Sequence, residues 1–220
     1  NPNYSSEKGI LFNKDKTELI RYPQNAPATE YTVPDTVKTI GEEAFMDCAN
    51  LKNVVISDGV TSIGRLAFSS AVNLKSITIP QSVTSISSSF FDSNKGVLVY
   101  YNGTKAQWSQ LLVNAGITDG YGSLLYTTVY CSNGTYYPTG SCGENVIWEY
   151  DSISETLMIS GTGPMYNYTV SEDHHGELYV DDIPWEYFTY YIKTVIIKDG
   201  VTSIGEQAFY RCYNLTSITI

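Results

Sequence analysis

Apolar side chains recur along the chain with a fixed series of gaps. Taking Val37 as origin, they follow at Ile40, Phe45, Leu51, Val54 and Ile56. The series returns 23 residues later as Val60, Ile63, Phe68, Leu74, Ile77 and Ile79. A third copy runs Val83, Ile86, Phe91, Val97 and Tyr100, with polar Asn102 at its last position. A further copy, 164 residues beyond the first, runs Val201, Ile204, Phe209, Leu215, Ile218 and Ile220. Partial copies precede Val37 (Ala28, Tyr31, Val33) and Val201 (Ile192, Val195, Ile197), making about six turns in all. Because 164 is not a multiple of 23, other sequence interrupts the series.

Within each copy, Leu-x-x-Ile-x-Ile predicts a strand with alternate residues buried. The Ala-Phe pairs (Ala44-Phe45, Ala67-Phe68, Ala208-Phe209) sit in polar stretches that predict one or two helical turns. Gly41, Gly64 and Gly205 mark a corner where glycine takes up a backbone angle other residues resist. Asp58-Gly59 and Asp199-Gly200 read as turns. A 23-residue unit cannot bury its apolar side alone, so neighbours must stack. The expected fold is an α/β leucine-rich repeat solenoid with a parallel strand ladder, interrupted by a β-rich capping insert.

The middle of the chain breaks the pattern. Thr104 predicts the start of a short helix carrying Trp108, Leu111 and Leu112, a cap on the fading third copy. Leu124–Tyr130 reads as a strand after the loop Asp119-Gly120-Tyr121-Gly122. Val146, Trp148 and Tyr150 alternate, as do Leu157 and Ile159, which predicts a hairpin capping the second array with Trp148 and Trp185 as cover. Three segments follow: a repeat module with its helical cap over 1–130, an acidic, Tyr-rich hairpin segment over 131–191, and the start of a second module over 192–220.

The units V-T-S-I-G-x-x-A-F-x-x-C-x-N-L-x-S-I-T-I and the opening N-P-N-Y-S-S-E-K-G-I-L-F-N-K-D-K-T-E-L-I-R-Y-P resemble the BspA-type leucine-rich repeat family of bacterial surface proteins. The resemblance covers residues 1 to about 112 and 143 to 220. It implies a secreted or cell-surface adhesion role. By that pattern Asn1 falls inside a preceding unit and Ile220 closes a strand, so both ends are expected to be cut from a longer array.

Charge narrows the partners. The chain carries 13 basic and 23 acidic residues, a net charge of −10, which repels nucleic-acid phosphates and anionic lipid. Residues 101–190 hold one basic residue, Lys105, and eleven acidic ones, so the excess belongs to the insert. No apolar run approaches the roughly 20 residues needed to cross a bilayer.

Little suggests catalysis or a cofactor. Cys48 and Cys212 share a repeat position that elsewhere holds Ala71, and read as buried structural thiols. Cys131 and Cys142 lie outside the repeat; they are either a disulfide in an oxidising compartment or two free thiols. The only histidines sit in Glu172-Asp173-His174-His175-Gly176-Glu177, followed by Asp181 and Asp182. These are divalent-metal candidates, but an acidic run is more often a solvated loop, and no metal or other cofactor is expected. No base stands near a serine or cysteine in any recognisable arrangement, so the chain is read as non-enzymatic.

Binding is the remaining class. On the concave side of the ladder the exposed positions are small, polar and nearly uncharged. The candidate ligand contacts are Asn53, Val55, Ser76, Thr78, Tyr101, Thr194, Ser217 and Thr219, with Val99 and Ile196 also facing outward. A protein on a host or neighbouring cell is the first expected partner. The second reading is carbohydrate binding through the aromatic insert, with Trp185 and Tyr190 as contacts. A third is a rigid spacer in a larger secreted protein.

Overall fold

The computed structural model describes residues 1–87, 89–90, 97–117, 127–172, 178–180 and 183–220. The chain divides into two compact units, Asn1–Tyr136 and Tyr137–Ile220.

Unit 1 contains β1 (Tyr4–Glu7), β2 (Ile10–Asn13), β3 (Glu18–Arg21), β4 (Glu30–Thr32), β5 (Thr39–Ile40), β6 (Asn53–Val55), β7 (Ser62–Ile63), β8 (Ser76–Ile79), β9 (Ser85–Ile86), β10 (Leu98–Tyr101), α1 (Lys105–Asn114), β11 (Val129–Cys131) and β12 (Gly134–Tyr136). Each repeat contributes one strand to each of two sheets. In the first, β4, β6, β8, β10 and β11 pair in parallel and β12 closes antiparallel on β11. In the second, β5, β7 and β9 pair in parallel. Register follows the sequence period: Tyr31 faces Val54, Val54 faces Ile77, and Ile40 faces Ile63, which faces Ile86. Every apolar residue of the first two copies is buried. Phe45 stacks on Phe68 with ring centroids 4.8 Å apart and planes 6° from parallel, and Phe68 meets Phe90 at 6.4 Å.

The third copy is one residue shorter than expected. Val99 faces Ile77 and Tyr101 faces Ile79, and Phe90 rather than Phe91 enters the aromatic stack; Phe91 itself lies outside the described residues. Since Ile86 keeps the 23-residue step from Ile63, the missing residue falls between Ile86 and Phe90. The shift reverses the strand's sides. Val99 and Tyr101, expected to face outward, are buried, while Tyr100 is exposed.

The expectation of helical turns, and with it the α/β class, is also corrected. The protein is mostly strand, and α1 is the only α-helix among the described residues. The Ala-Phe segments are successive turns in which Glu43, Leu66 and Gln207 hold φ of 58°, 52° and 59°, and Asp47, Ser70 and Arg211 hold 60°, 56° and 59°. A left-handed residue every four positions cannot propagate an α-helix. The freed amides pair with the next copy: Phe45 N donates to Ala67 O at 2.7 Å and Phe68 N to Phe90 O at 2.8 Å. The corner glycines serve a different need from the one expected. None of Gly41, Gly64 and Gly205 has positive φ. A Cβ on Gly64 would lie 2.7 Å from Glu42 N, and one on Gly205 would strike the Tyr166 carbonyl, so they admit the backbone of the preceding turn. Asparagines tie the same stack: Asn50, Asn73 and Asn214 donate Nδ2 to the carbonyls of Ala26, Ala49 and Tyr190 at 3.0, 2.7 and 2.7 Å.

The opening residues are not a repeat. β1, β2 and β3 form an antiparallel meander, and β3 pairs in parallel with β5. At the other side of unit 1, α1 starts at Thr104 as expected. The Thr104 hydroxyl accepts from Gln107 N, and the Gln107 side chain accepts from Thr104 N, a capping box. The helix buries Trp108, Leu111 and Leu112. Of the expected strand Leu124–Tyr130, residues 124–126 lie outside the described residues, as does the loop before it; the observed strand is β11.

Unit 2 contains β13 (Thr139–Ser141), β14 (Val146–Asp151), β15 (Thr156–Gly161), β16 (Gly163–Pro164), β17 (Val170–Glu172), β18 (Leu178–Val180), β19 (Thr194–Ile197), β20 (Val201–Ser203) and β21 (Ser217–Thr219). The expected hairpin is β14–β15, with β13 on its outer edge. It joins the repeats directly: Leu157 faces Val195 and Ile159 faces Ile197 in parallel, and β19 continues to β21. β16 pairs in parallel with β20. Trp185 stacks on Phe209 at 6.3 Å and donates Nε1 to Ala208 O at 2.9 Å. β15, β16 and Trp185 thus occupy the places of a preceding repeat. Between β16 and Trp185 the chain carries an inserted pair of strands, β17 and β18, which pair antiparallel. The last copy differs from the others. Ile204, Ile218 and Ile220 are exposed and Phe209 and Leu215 half-buried.

Candidate binding surfaces

The outward side of the first sheet in unit 1 carries two rows set by strand register. In one, Asn53 Nδ2 donates to Glu30 Oε1 at 3.0 Å and the Ser76 hydroxyl to Asn53 Oδ1 at 2.8 Å. Each side chain fixes the next, and the only carboxylate is held by an amide. The other row runs Thr32, Val55, Thr78, Tyr100 and Tyr130. Val55 is 42% exposed and Tyr100 40%. The Tyr100 and Tyr130 rings stack at 5.3 Å and 23°, raising a wall at one end of a low polar floor.

Of the sequence candidates, Asn53, Val55, Ser76 and Thr78 lie together on this face, whereas Tyr101 points into the core and Tyr100 takes its place. Thr194, Ser217 and Thr219 lie on the corresponding face of unit 2. Tyr100 and Tyr130 were hidden by the one-residue shortening; the alternation Val97-Val99-Tyr101 was the signal that placed Tyr100 outward.

The aromatic insert is divided between core and surface. Trp185 is fully buried and cannot touch a ligand. Tyr190 and Tyr213 occupy the same repeat position, where unit 1 has Ala26, Ala49 and Val72. They are 63% and 71% exposed and meet edge to face at 6.2 Å, with Tyr191 against Tyr190 at 6.4 Å.

The four cysteines are free thiols. Burial pushes all four up to about 11, a pull from Arg21 on Cys48 and from Lys105 on Cys131 being smaller. Such thiols hold little thiolate near neutrality and are poor nucleophiles and metal ligands. Of the histidine loop, Glu172 is exposed at the end of β17, and 173–177 with 181–182 lie outside the described residues. Among the described residues no three of His, Cys, Asp and Glu come together to hold a metal. Nor is any described helix long and apolar enough to cross a membrane.

A family model for the BspA-type leucine-rich repeat region matches six copies, over residues 22–101 and 180–220, more than half of the chain. The chain belongs to the BspA-type leucine-rich repeat family. Three solved structures are similar to it. A leucine-rich repeat protein of Eubacterium ventriosum is 22% identical with a TM-score of 0.45, over 100% of this chain and 40% of that one. The pneumococcal vaccine antigen PcpA is 20% identical with a TM-score of 0.33, over 52% of this chain and 46% of that one. A leucine-rich cell surface protein of Faecalibacterium prausnitzii is 17% identical with a TM-score of 0.27, over 100% and 68%. The chain therefore spans less than half the length of the first two. No curated protein matches the sequence.

Proposed function

We propose that this BspA-type chain is a non-enzymatic binding module of a secreted or cell-surface bacterial protein. Its repeats stack as solenoid pieces, and the outward strand face of unit 1 takes a protein ligand. The observation that carries the reading is the floor of Asn53, Val55, Ser76 and Thr78, in which hydrogen bonds fix Asn53 and Ser76, ended by the Tyr100–Tyr130 wall. Such a face loses little side-chain entropy on binding, and tyrosines of this kind anchor interfaces. Thr194, Ser217 and Thr219 extend the reading to unit 2. In a binding assay on host or neighbouring bacterial cells, Thr78→Arg and Tyr100→Ala should each remove most cell binding while the melting temperature holds. Undiminished binding in both would refute the protein-ligand reading.

The exposed trio Tyr190, Tyr191 and Tyr213 favours a second reading, carbohydrate contact at that edge. Glycan-array binding lost on Tyr190→Ala and Tyr213→Ala, and kept in Tyr100→Ala, would select it. A chain that binds neither cells nor glycans would be a spacer.

A further inference from the structure

The two units differ sharply in charge. Unit 1 holds ten basic and eleven acidic residues, whereas unit 2 holds three basic and twelve acidic, a net charge of −9 in 84 residues. The outward face of unit 2 also differs in kind from that of unit 1. Register aligns Thr139, Glu149, Met158, Ile196 and Thr219 in one row across five strands. Ile147, 45% exposed, sits diagonal to Met158 on the same face, within reach of it. An apolar strip of Ile147, Met158 and Ile196 thus runs across the sheet with the Glu149 carboxylate at its edge, and Glu149 forms no ion pair among the described residues.

Other charged residues lie near this face. Lys193 is neutralised by Glu155, Nζ to Oε2 at 2.5 Å. The Asp151 carboxylate accepts the Ile153 amide at 2.9 Å and the Ser154 hydroxyl at 2.8 Å. Lys198 stands at the corner past Ser160, beside Asp199. The third basic residue, Arg211, lies over the Tyr210 ring, 5.5 Å from its centroid.

We infer that this face of unit 2 binds a cationic amphipathic polypeptide segment, basic residues alternating with aliphatic ones. The unit's negative field draws such a segment in. Its aliphatic side chains cover Ile147, Met158 and Ile196, and a lysine or arginine meets Glu149. An acidic segment is repelled, and a purely polar one leaves the strip wet. This face also carries Thr194, Ser217 and Thr219, but the inference does not rest on the unit 1 face and can fail while the unit 1 reading holds.

The test uses the whole chain and two synthetic peptides, one alternating Lys and Leu, the other alternating Glu and Leu, followed by calorimetry at low and high salt. The Lys-Leu peptide should bind, more weakly at high salt, and the Glu-Leu peptide should not. Ile147→Ser/Ile196→Ser should weaken binding about ten-fold. Ile147→Ser alone, at a position too exposed to endanger folding, should give about three-fold. Glu206→Gln, which removes a charge outside the strip, should change affinity less than two-fold, and Tyr100→Ala in unit 1 should leave it unaltered. No binding of the Lys-Leu peptide, equal binding of both peptides, or full affinity in the strip variants would overturn the inference; the last would mean that bulk charge alone attracts the peptide.

Discussion

Replacing Phe68 by alanine tests whether stacking between repeats holds unit 1 together. The ring is fully buried and lies between Phe45 and Phe90. Truncating a buried phenylalanine costs about 3–5 kcal/mol, and each aromatic partner adds about 0.5–1.5 kcal/mol beyond its area. With partners on both sides the expected loss is about 5 kcal/mol, comparable to the whole stability of a small domain. At a urea dependence of about 2 kcal/mol/M, the unfolding midpoint should fall by more than 2 M, and unit 1 should be largely unfolded at 37 °C. Phe68→Leu keeps most of the volume and should lose about 1–1.5 kcal/mol. Phe209→Ala is the internal comparison: the same repeat position, half-buried and with Trp185 on one side, should cost about half as much. Urea denaturation followed by circular dichroism and tryptophan fluorescence measures all three. Were Phe68→Ala no worse than Phe209→Ala, the copies would not be leaning on one another, and the stacking argument would fail.

Thr104→Ala removes the capping box of α1 and should cost about 1 kcal/mol, read as a lower urea midpoint with unchanged ligand binding. Thiol titration with Ellman's reagent in denaturant should count four free thiols, and two would restore the Cys131–Cys142 bridge; in the native state Cys48 and Cys142 should react only after unfolding. The Cys48 thiol is raised from 9.0 to about 11, and the Tyr31 hydroxyl from 10.0 to about 12, both mainly by burial. Because both folded values are raised, the stability they contribute is full below pH 9 and is lost as pH climbs through 11 to 12. The urea midpoint should therefore be lower at pH 10.5 than at pH 8, and a flat profile would contradict these shifts.

What the sequence disclosed and what it hid follow from the physics of each feature. The positions that must be apolar in every copy, such as Val37, Ile40, Phe45 and Leu51, are visible because burial restricts the side chain. Backbone choices leave a weaker trace. Glu43 and Asp47 gave no warning of left-handed turns, so a polar stretch around Ala44-Phe45 read as helix. The glycines showed that something demanded a missing side chain, but not that a neighbouring backbone was the reason. In the third copy two adjacent phenylalanines, Phe90 and Phe91, both suited the pattern, and a constant step chose the wrong one and carried the error to Tyr101. Asn53, Val55, Ser76 and Thr78 were legible as outward residues because strand alternation is strict. Trp185 was legible as cover for the second array but not as a stand-in for the repeat phenylalanine, since an insertion separates it from the repeat whose phenylalanine position it fills.

The left-handed corners bear on how the protein can be engineered. Glu43, Leu66 and Gln207 hold a conformation that costs an L-residue about 1–2 kcal/mol. Asparagine tolerates it better, and glycine bears it at a smaller entropic loss. Each such site is a point where the natural chain falls short of the most stable version of its own pattern. A consensus array with Asn or Gly at these corners should melt higher than the parent while presenting the same outer residues, giving a sturdier frame on which to vary the recognition face.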